Sequence, residues 1–275
     1  MTELPSISVI TPCLNAAATI RETLESVRDQ GYPRLEHIVV DGDSADGTPE
    51  IAAGFGARVM SEPDRGRPDA ANKGIALATG DVVAFLNADD RYEPGALERI
   101  GRAFADHPDA QWVTGYCRIV DGDGREIRHG VTRYKQWLLR RWSYGLYLTQ
   151  NFVSDPATFV RREALERVGG LDGRYSTSHD YDLWLRVGRL GPPVVVEAPI
   201  AAFRMQEGTL SMDGFEGQFR EHEEIARHHG DGHRAAVMVN AVTSRLIVLI
   251  YRALRGVRTL RARRRRGVGA PPRTT

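Results

Sequence analysis

Cysteine is almost absent. Cys13 and Cys117 are the only thiols in 275 residues, too few for a disulfide framework and in keeping with a reducing compartment. Long apolar runs are missing too: the longest, Leu246 to Tyr251, falls far short of the ~18 residues that span a bilayer, which excludes an integral membrane protein. Met1 to Pro5 carries no basic region ahead of an apolar run, so no secretion signal is expected. Two common phosphate loops are lacking. There is no G-x-x-x-x-G-K-[ST], and no G-x-G-x-x-G after the first strand, which disfavours a P-loop ATPase and a dinucleotide dehydrogenase. Finally, no acidic residue follows Asp231. The 11 arginines from Arg234 onward leave 26 Lys and Arg against 36 Asp and Glu in the rest, so a formal net charge of +1 hides a body of −10. Such a tail suits a polyanionic surface.

What is present describes an ordinary globular chain, 41% hydrophobic and 27% charged. Strands are expected at Ile7 to Thr11, His37 to Asp41, Arg58 to Ser61 and Val82 to Leu86. Helices are expected at Thr19 to Gln30, Thr48 to Phe55, Asp69 to Ala78 and from Pro94 to Phe104. This alternation implies an α/β fold with a mostly parallel sheet covered on both faces. The region from Gly115 to Asn151 is less regular, with a turn at Asp121 to Gly124 and an aromatic-rich stretch from Tyr134 to Phe152. Further on come a helix from Ser178 to Arg189, a strand from Val194 to Glu197, and helical segments from Phe215.

Ligands of open α/β sheets bind at the carboxyl ends of the strands. Here those ends deliver Thr11, Pro12 and Asn15, then Asp41, then Asp64 and Arg65, then Asn87, Asp89 and Asp90. One such acid is usually a cap or a turn residue, but four successive strand ends point to a polar site. Adjacent carboxylates repel unless a cation offsets them, and hard oxygen ligands suit Mg²⁺ or Mn²⁺ carrying a diphosphate.

The segments SVITPCLNAAATI, HIVVDGDSADGT, SEPDRGRPDAANKGIALATGD, FLNADD, PATFVRREALERVGGLD and SHDYDLWLRVG resemble, in order and spacing, family 2 glycosyltransferases of the GT-A fold that build bacterial surface polysaccharides. The resemblance covers most of residues 6 to 190. It implies that Thr11, Pro12 and Asn15 line a nucleotide pocket, that Asp41 hydrogen-bonds the base, and that Asp64, Arg65, Asp69, Asn72 and Lys73 lie beside base, ribose and diphosphate. Asn87, Asp89 and Asp90 match the D-x-D element, with Asp89 beside the ribose or donor sugar and Asp90 the preferred residue for Mn²⁺ or Mg²⁺. Asp180 matches the general base; Asp182 lies about 200° away on the same helix and cannot share its cleft.

The implied activity is inverting transfer from a UDP, dTDP or GDP sugar to a hydroxyl of a glycan or lipid-linked acceptor, in the cytoplasm. A non-catalytic nucleotide-sugar or glycan-binding module, or a sugar nucleotidyltransferase, is the alternative. Two departures stand out: Asn87 replaces an acid found in some relatives, and Gln206 replaces a frequent His, leaving Arg204 as a phosphate contact. His228, His229 and His233 have metal-like spacing, but Gly230 and Gly232 break the helix that would align them.

The expected division is a GT-A domain over 1–212 (donor half 1–115, acceptor half 116–212), a basic amphipathic helical extension over 213–262, and a disordered basic tail over 263–275. In that extension Leu246, Leu249, Ile250, Leu254 and Val257 share one arc, with Arg245, Arg252, Arg255 and Arg258 mainly opposite. The pattern suits an anionic inner leaflet. No nucleic-acid partner is expected, because the arginines lack interleaved aromatics.

Overall fold

A computed structural model describes residues 3–205 and 215–249. Its centre is an eight-stranded sheet in the order β3-β2-β1-β4-β7-β6-β8-β5. Strands β1 (Ile7–Cys13), β2 (Leu35–Asp41), β3 (Arg58–Ser61) and β4 (Val82–Phe85) run parallel. Every residue of β1 is buried, the mark of a parallel strand covered on both faces. Helices α1 (Ile20–Arg28), α2 (Thr48–Gly54) and α3 (Arg67–Leu77) connect them, and α4 (Ala96–Asp106) leads on into the second half of the sheet. In α1 the buried Ile20, Leu24 and Val27 form the apolar face that their spacing predicts.

The second half of the sheet departs from simple alternation. β7 (Thr158–Arg161) inserts antiparallel between β4 and β6 (Trp112–Val120). β8 (Val194–Arg204) runs parallel to β6, and the two-residue β5 (Arg91–Tyr92) closes the edge. β8 is longer than the strand expected at Val194 to Glu197. Pro199 does not end it because it sits beside a register shift, where its missing N–H breaks no regular ladder. The insertion has a consequence for the site: the start of β7 lies next to the end of β4, so the 3₁₀ turn Asp155–Ala157 sits beside the loop 87–90.

The aromatic-rich stretch, read as irregular, forms helices α5 (His129–Leu139) and α6 (Tyr144–Thr149). They pack with α7 (Arg162–Val168) and α8 (His179–Gly188) around a core in which Trp112 and Trp184 stack at 6.0 Å. The helix Phe215–His229 lies against α8, burying Ile225 and Ala226, and a final helix covers 234–249. The expected boundary at 212/213, Gln206, and the basic sequence from Ile250 through the 263–275 tail lie outside the described residues. No helix among the described residues is long and apolar enough to cross a membrane.

Candidate functional site

The parallel register sets Cys13 beside Asp41 and Asp41 beside Ser61, so the polar residues that follow β1, β2 and β3 share one edge. Thr11 is fully buried, with Oγ1 3.0 Å from His37 Nε2, and burial holds that imidazole near 4, neutral. Pro12 is buried, whereas Asn15 is exposed in a left-handed conformation (φ 50°), its Oδ1 accepting from the Ala45 amide at 3.2 Å. Asp41 is fully buried. Burial pushes its pKa up, but hydrogen bonds from the Ser44 hydroxyl and amide and the Ser61 hydroxyl (2.7 Å) outweigh it and hold the carboxyl below its usual value. The sequence expects Asp41 to face a base; the structure spends this carboxylate on shaping the loop that would receive one. Cys13 donates weakly to it at 3.6 Å, and burial raises the thiol pKa, so this cysteine stays protonated and inert.

Loops 42–48 and 62–66 meet at Gly42, where a Cβ would lie 2.6 Å from Asp64 Oδ2, so any larger residue there would displace the Asp64 carboxylate. Arg65 is exposed and pairs with Asp69 at 3.0 Å, and Lys73 reaches Glu62 at 2.7 Å and the Pro63 carbonyl at 2.9 Å. These cations therefore line the open side of the loop. Asn72 faces elsewhere: its amide donates to the Leu171 carbonyl (2.8 Å) and accepts from the Leu171 amide (2.9 Å), pinning the turn after α7.

The two carboxylates after β4 have opposite environments. Asp90 is 1% exposed; one oxygen accepts from the Arg204 amide at 2.9 Å and the other from Asn87 Nδ2 at 2.8 Å. Burial and the neighbouring Asp89 charge push its pKa well up. A carboxylate so enclosed does not suit a metal on its way in with a substrate, so the preference for Asp90 is not carried by the geometry. Asp89 is half-buried, with its carboxylate in no hydrogen bond to a described side chain, and its pKa is raised mainly by desolvation, against the opposing charges of Arg204 and Arg67. Among the described residues no three His, Cys, Asp or Glu side chains converge as a ready metal cage. One accessible carboxylate suits an ion that takes its other ligands from water and diphosphate. Arg204 is not free for phosphate: Nε donates to the Asp89 carbonyl (3.0 Å), Nη1 to the Gly122 carbonyl (2.6 Å), and Nη2 pairs with Glu22.

Sequence reading misses the group at the centre, Arg67. Its Nε donates to Asn87 Oδ1 at 2.6 Å, while its two Nη atoms bond His179 and Asp155. Arg67 thus ties the β4 loop, the turn before β7 and the start of α8 together. Burial holds His179 near 4, helped by the Arg67 charge, so it serves as a neutral partner. Burial also lifts Asp155 to about 6, against the attraction of Arg67 and with the repulsion of nearby Asp180. The one sequence signal for this hub is the second arginine of DRGRPDAAN, which opens α3 just before Pro68.

Asp180 lies in the first turn of α8, where Asn151 donates to its Oδ2 at 3.0 Å and is itself held by the Tyr147 hydroxyl at 2.9 Å. Asp182 is 2% exposed and bonded to Arg186 (2.6 Å) and His229 (2.7 Å), so it holds the Phe215–His229 helix onto α8. That bond also spends His229 Nε2. Glu221, from the same helix, accepts from the amides of Ser176, Thr177 and Ser178 at 2.9–3.1 Å and fixes the approach to Asp180. Burial lowers the pKa of Lys135 on α5, against the raising influence of Cys117 and Asp180. Burial holds His222 at about 4, while Asp180 and Glu221 draw it up.

The sequence profile of glycosyl transferase family 2 matches residues 8–169. The chain is 32% identical over 210 residues to an uncharacterized glycosyltransferase of Mycobacterium tuberculosis, covering 74% of this chain and 76% of the relative. It is 29% identical over 215 residues to the amylovoran biosynthesis glycosyltransferase AmsB of Erwinia amylovora, covering 73% and 70%. Its fold is similar to that of the mannosyltransferase PcManGT of Pyrobaculum calidifontis, solved with GDP-Man and Mn²⁺ (TM-score 0.65, 19% identity, 95% of this chain and 81% of that one). It is also similar to the 1–349 segment of S. aureus TarS solved with UDP-GlcNAc (TM-score 0.60, 17% identity, 80% and 66%), and it spans 39% of a longer TarS chain.

Proposed function

The chain belongs to glycosyl transferase family 2, and from that premise we propose that it is a metal-dependent, inverting transferase acting in cell-surface polysaccharide synthesis. The donor is a nucleotide-diphosphate sugar of UDP, dTDP or GDP type, and the acceptor a hydroxyl of a glycan or lipid-linked sugar. One observation carries the reading: the Arg67 hub holds the Asp89 loop and the start of α8, where Asp180 lies, in a single hydrogen-bonded frame. That link supports placing the donor site and the proton acceptor side by side.

In the proposed reaction the acceptor oxygen bonds to the anomeric carbon as the bond from that carbon to the diphosphate breaks, which inverts the centre. Asp180 takes the hydroxyl proton, its carboxylate aimed by Asn151. Asp89 would hold a divalent cation, which would offset charge on the leaving diphosphate. Lys73 and Arg65, on the open loop, add positive charge on the same side. Thr11, Pro12, Asn15, Asp64 and Asp69 frame the nucleotide, while Asp41, Asn72, Asn87 and Asp90 hold the frame. We place the protein in the cytoplasm at the inner face of the membrane, with the basic sequence after Arg245 contributing to that attachment.

The test is turnover with a panel of nucleotide sugars. One donor class is expected to release its nucleoside diphosphate with Mn²⁺ or Mg²⁺, with product NMR showing the opposite anomeric configuration, and EDTA is expected to stop the release. Turnover unchanged by EDTA, or a retained configuration, refutes the metal or the inversion respectively.

A further inference from the structure

Helix 234–249 leaves an apolar stripe on its outside. Its inward face is mixed, with Ala236 packed on the core and two buried polar residues among its neighbours: Asn240 (1% exposed) donates to the Leu148 carbonyl at 3.0 Å, and Ser244 (4% exposed) lies beside it. Its outward face is apolar, with Met238, Val242, Leu246 and Leu249 each more than half exposed. Steps of four, four and three residues confine these four to an arc of about 80°. A soluble helix places such a stripe on the core. Here something other than the protein's own described surface must cover it.

A second apolar surface lies alongside. On α5, Tyr134 and Trp137 stack at 6.4 Å, both nearly half exposed, with the Arg141 guanidinium 4.5 Å above the Trp137 ring. The end of α6 joins the two: Gln150 Nε2 donates to the Tyr134 hydroxyl at 2.6 Å, and the Thr243 hydroxyl of helix 234–249 reaches the Thr149 carbonyl at 3.5 Å. The next residue, Asn151, is the one that aims Asp180.

We propose that the outer stripe of helix 234–249 and the Tyr134–Trp137 pair form one docking surface for an anionic lipid bilayer, setting the Asp180 side of the cleft at the membrane. The charge around the surface selects this occupant. Arg140 and Arg141 follow α5, Arg234 and Arg245 lie on helix 234–249, and the sequence that continues from it adds nine more arginines and no acid. Aromatic rings with basic neighbours suit the headgroup zone, and an apolar helical stripe suits the acyl boundary beneath it. A second copy of this chain would instead bring like charge against like charge. The inference rests on the proposed reaction only for the use made of the orientation, since vesicle binding is measured without turnover.

The test uses the full chain with vesicles of phosphatidylcholine, with and without phosphatidylglycerol. Co-sedimentation is expected with the anionic vesicles, and Trp137→Ser and Val242→Asp are each expected to weaken it by about tenfold. Both side chains are exposed, so melting temperatures and nucleotide binding stay at wild-type values. Brominated lipid is expected to quench wild-type tryptophan emission and to lose most of that effect in Trp137→Ser. Vesicle binding unchanged in both variants, or the absence of quenching, overturns the proposal. So does a dimer that Val242→Asp dissociates together with an absence of vesicle binding.

Discussion

Asp180→Asn is expected to bind the donor as the wild type does and to transfer sugar about 10²–10⁴ times more slowly, the usual worth of a positioned general base. The two side chains have the same shape. The substituted amide keeps an oxygen to accept from Asn151, so the turn and the donor loops are undisturbed. What is lost is an atom able to take a proton as the acceptor oxygen becomes a bond donor to carbon. Asp182→Asn, its neighbour, loses the ion pair to Arg186, weakens the bond to His229 and is expected to lower stability first. Steady-state transfer and donor titration of both variants separate the roles. Near-wild-type turnover by Asp180→Asn removes it as the base.

Arg67→Ala has the largest expected effect on stability. It strips hydrogen bonds from Asn87, His179 and Asp155 together, and leaves a mostly buried carboxylate without its cation. Removing one partner of such a pair costs about 3 kcal/mol or more. In a domain of this size that is a fall in Tm of roughly 10 °C. The sign with pH follows from Asp155, which sits at about 6 with Arg67 present and higher without it. At pH 5 the carboxyl is largely protonated in both proteins; at pH 8 it is an unpaired charge in the variant. The loss in Tm is therefore expected to grow as pH rises from 5 to 8, and Asp155→Asn added to Arg67→Ala is expected to remove that growth. Arg67→Lys restores little, because one ammonium cannot serve three separated partners. Equal losses at pH 5 and 8, or a wild-type Tm, contradict the assignment.

The parallel half of the fold was legible because its strands are short, apolar and bounded by turns, and its helices carry a 3.6-residue stripe. The middle was not. Tyr134 and Trp137 break the stripe of α5 by facing outward, and the place of β7 between β4 and β6 is a pairing that no local pattern announces. The same limit applies to the site. Chemistry at the strand ends could be read from residue types, so Asp89 and Asp90 stood out, whereas Asp180, at a helix start, was marked only by the family resemblance.

Which of Asp89 and Asp90 is enclosed depends on the Arg204 amide, 114 residues from Asp90 in the chain. Arg67 and Asp155 are 88 residues apart, and no local pattern marks them as partners. Their importance exists only once β7 has brought the turn to the β4 loop. Asp41 shows the converse. Its strand-end position marked it correctly as belonging to the edge, yet its hydrogen bonds to Ser44 and Ser61 make it a builder of the loop.

A nucleotide-sugar site at the sheet edge in which Asp89 would meet the cation is tested most directly by the Tm of the wild type and of Asp89→Ala with UDP, GDP, dTDP or CMP, each with Mn²⁺ or with EDTA. A ligand that binds only the folded state raises Tm, by an amount worth about 2.7 kcal/mol at a hundredfold excess over Kd. One nucleoside diphosphate is predicted to stabilise the wild type with Mn²⁺, to lose most of that effect with EDTA, and to lose it equally in Asp89→Ala. Full metal-dependent stabilisation in Asp89→Ala, or no response of the wild type to any nucleotide, contradicts the site.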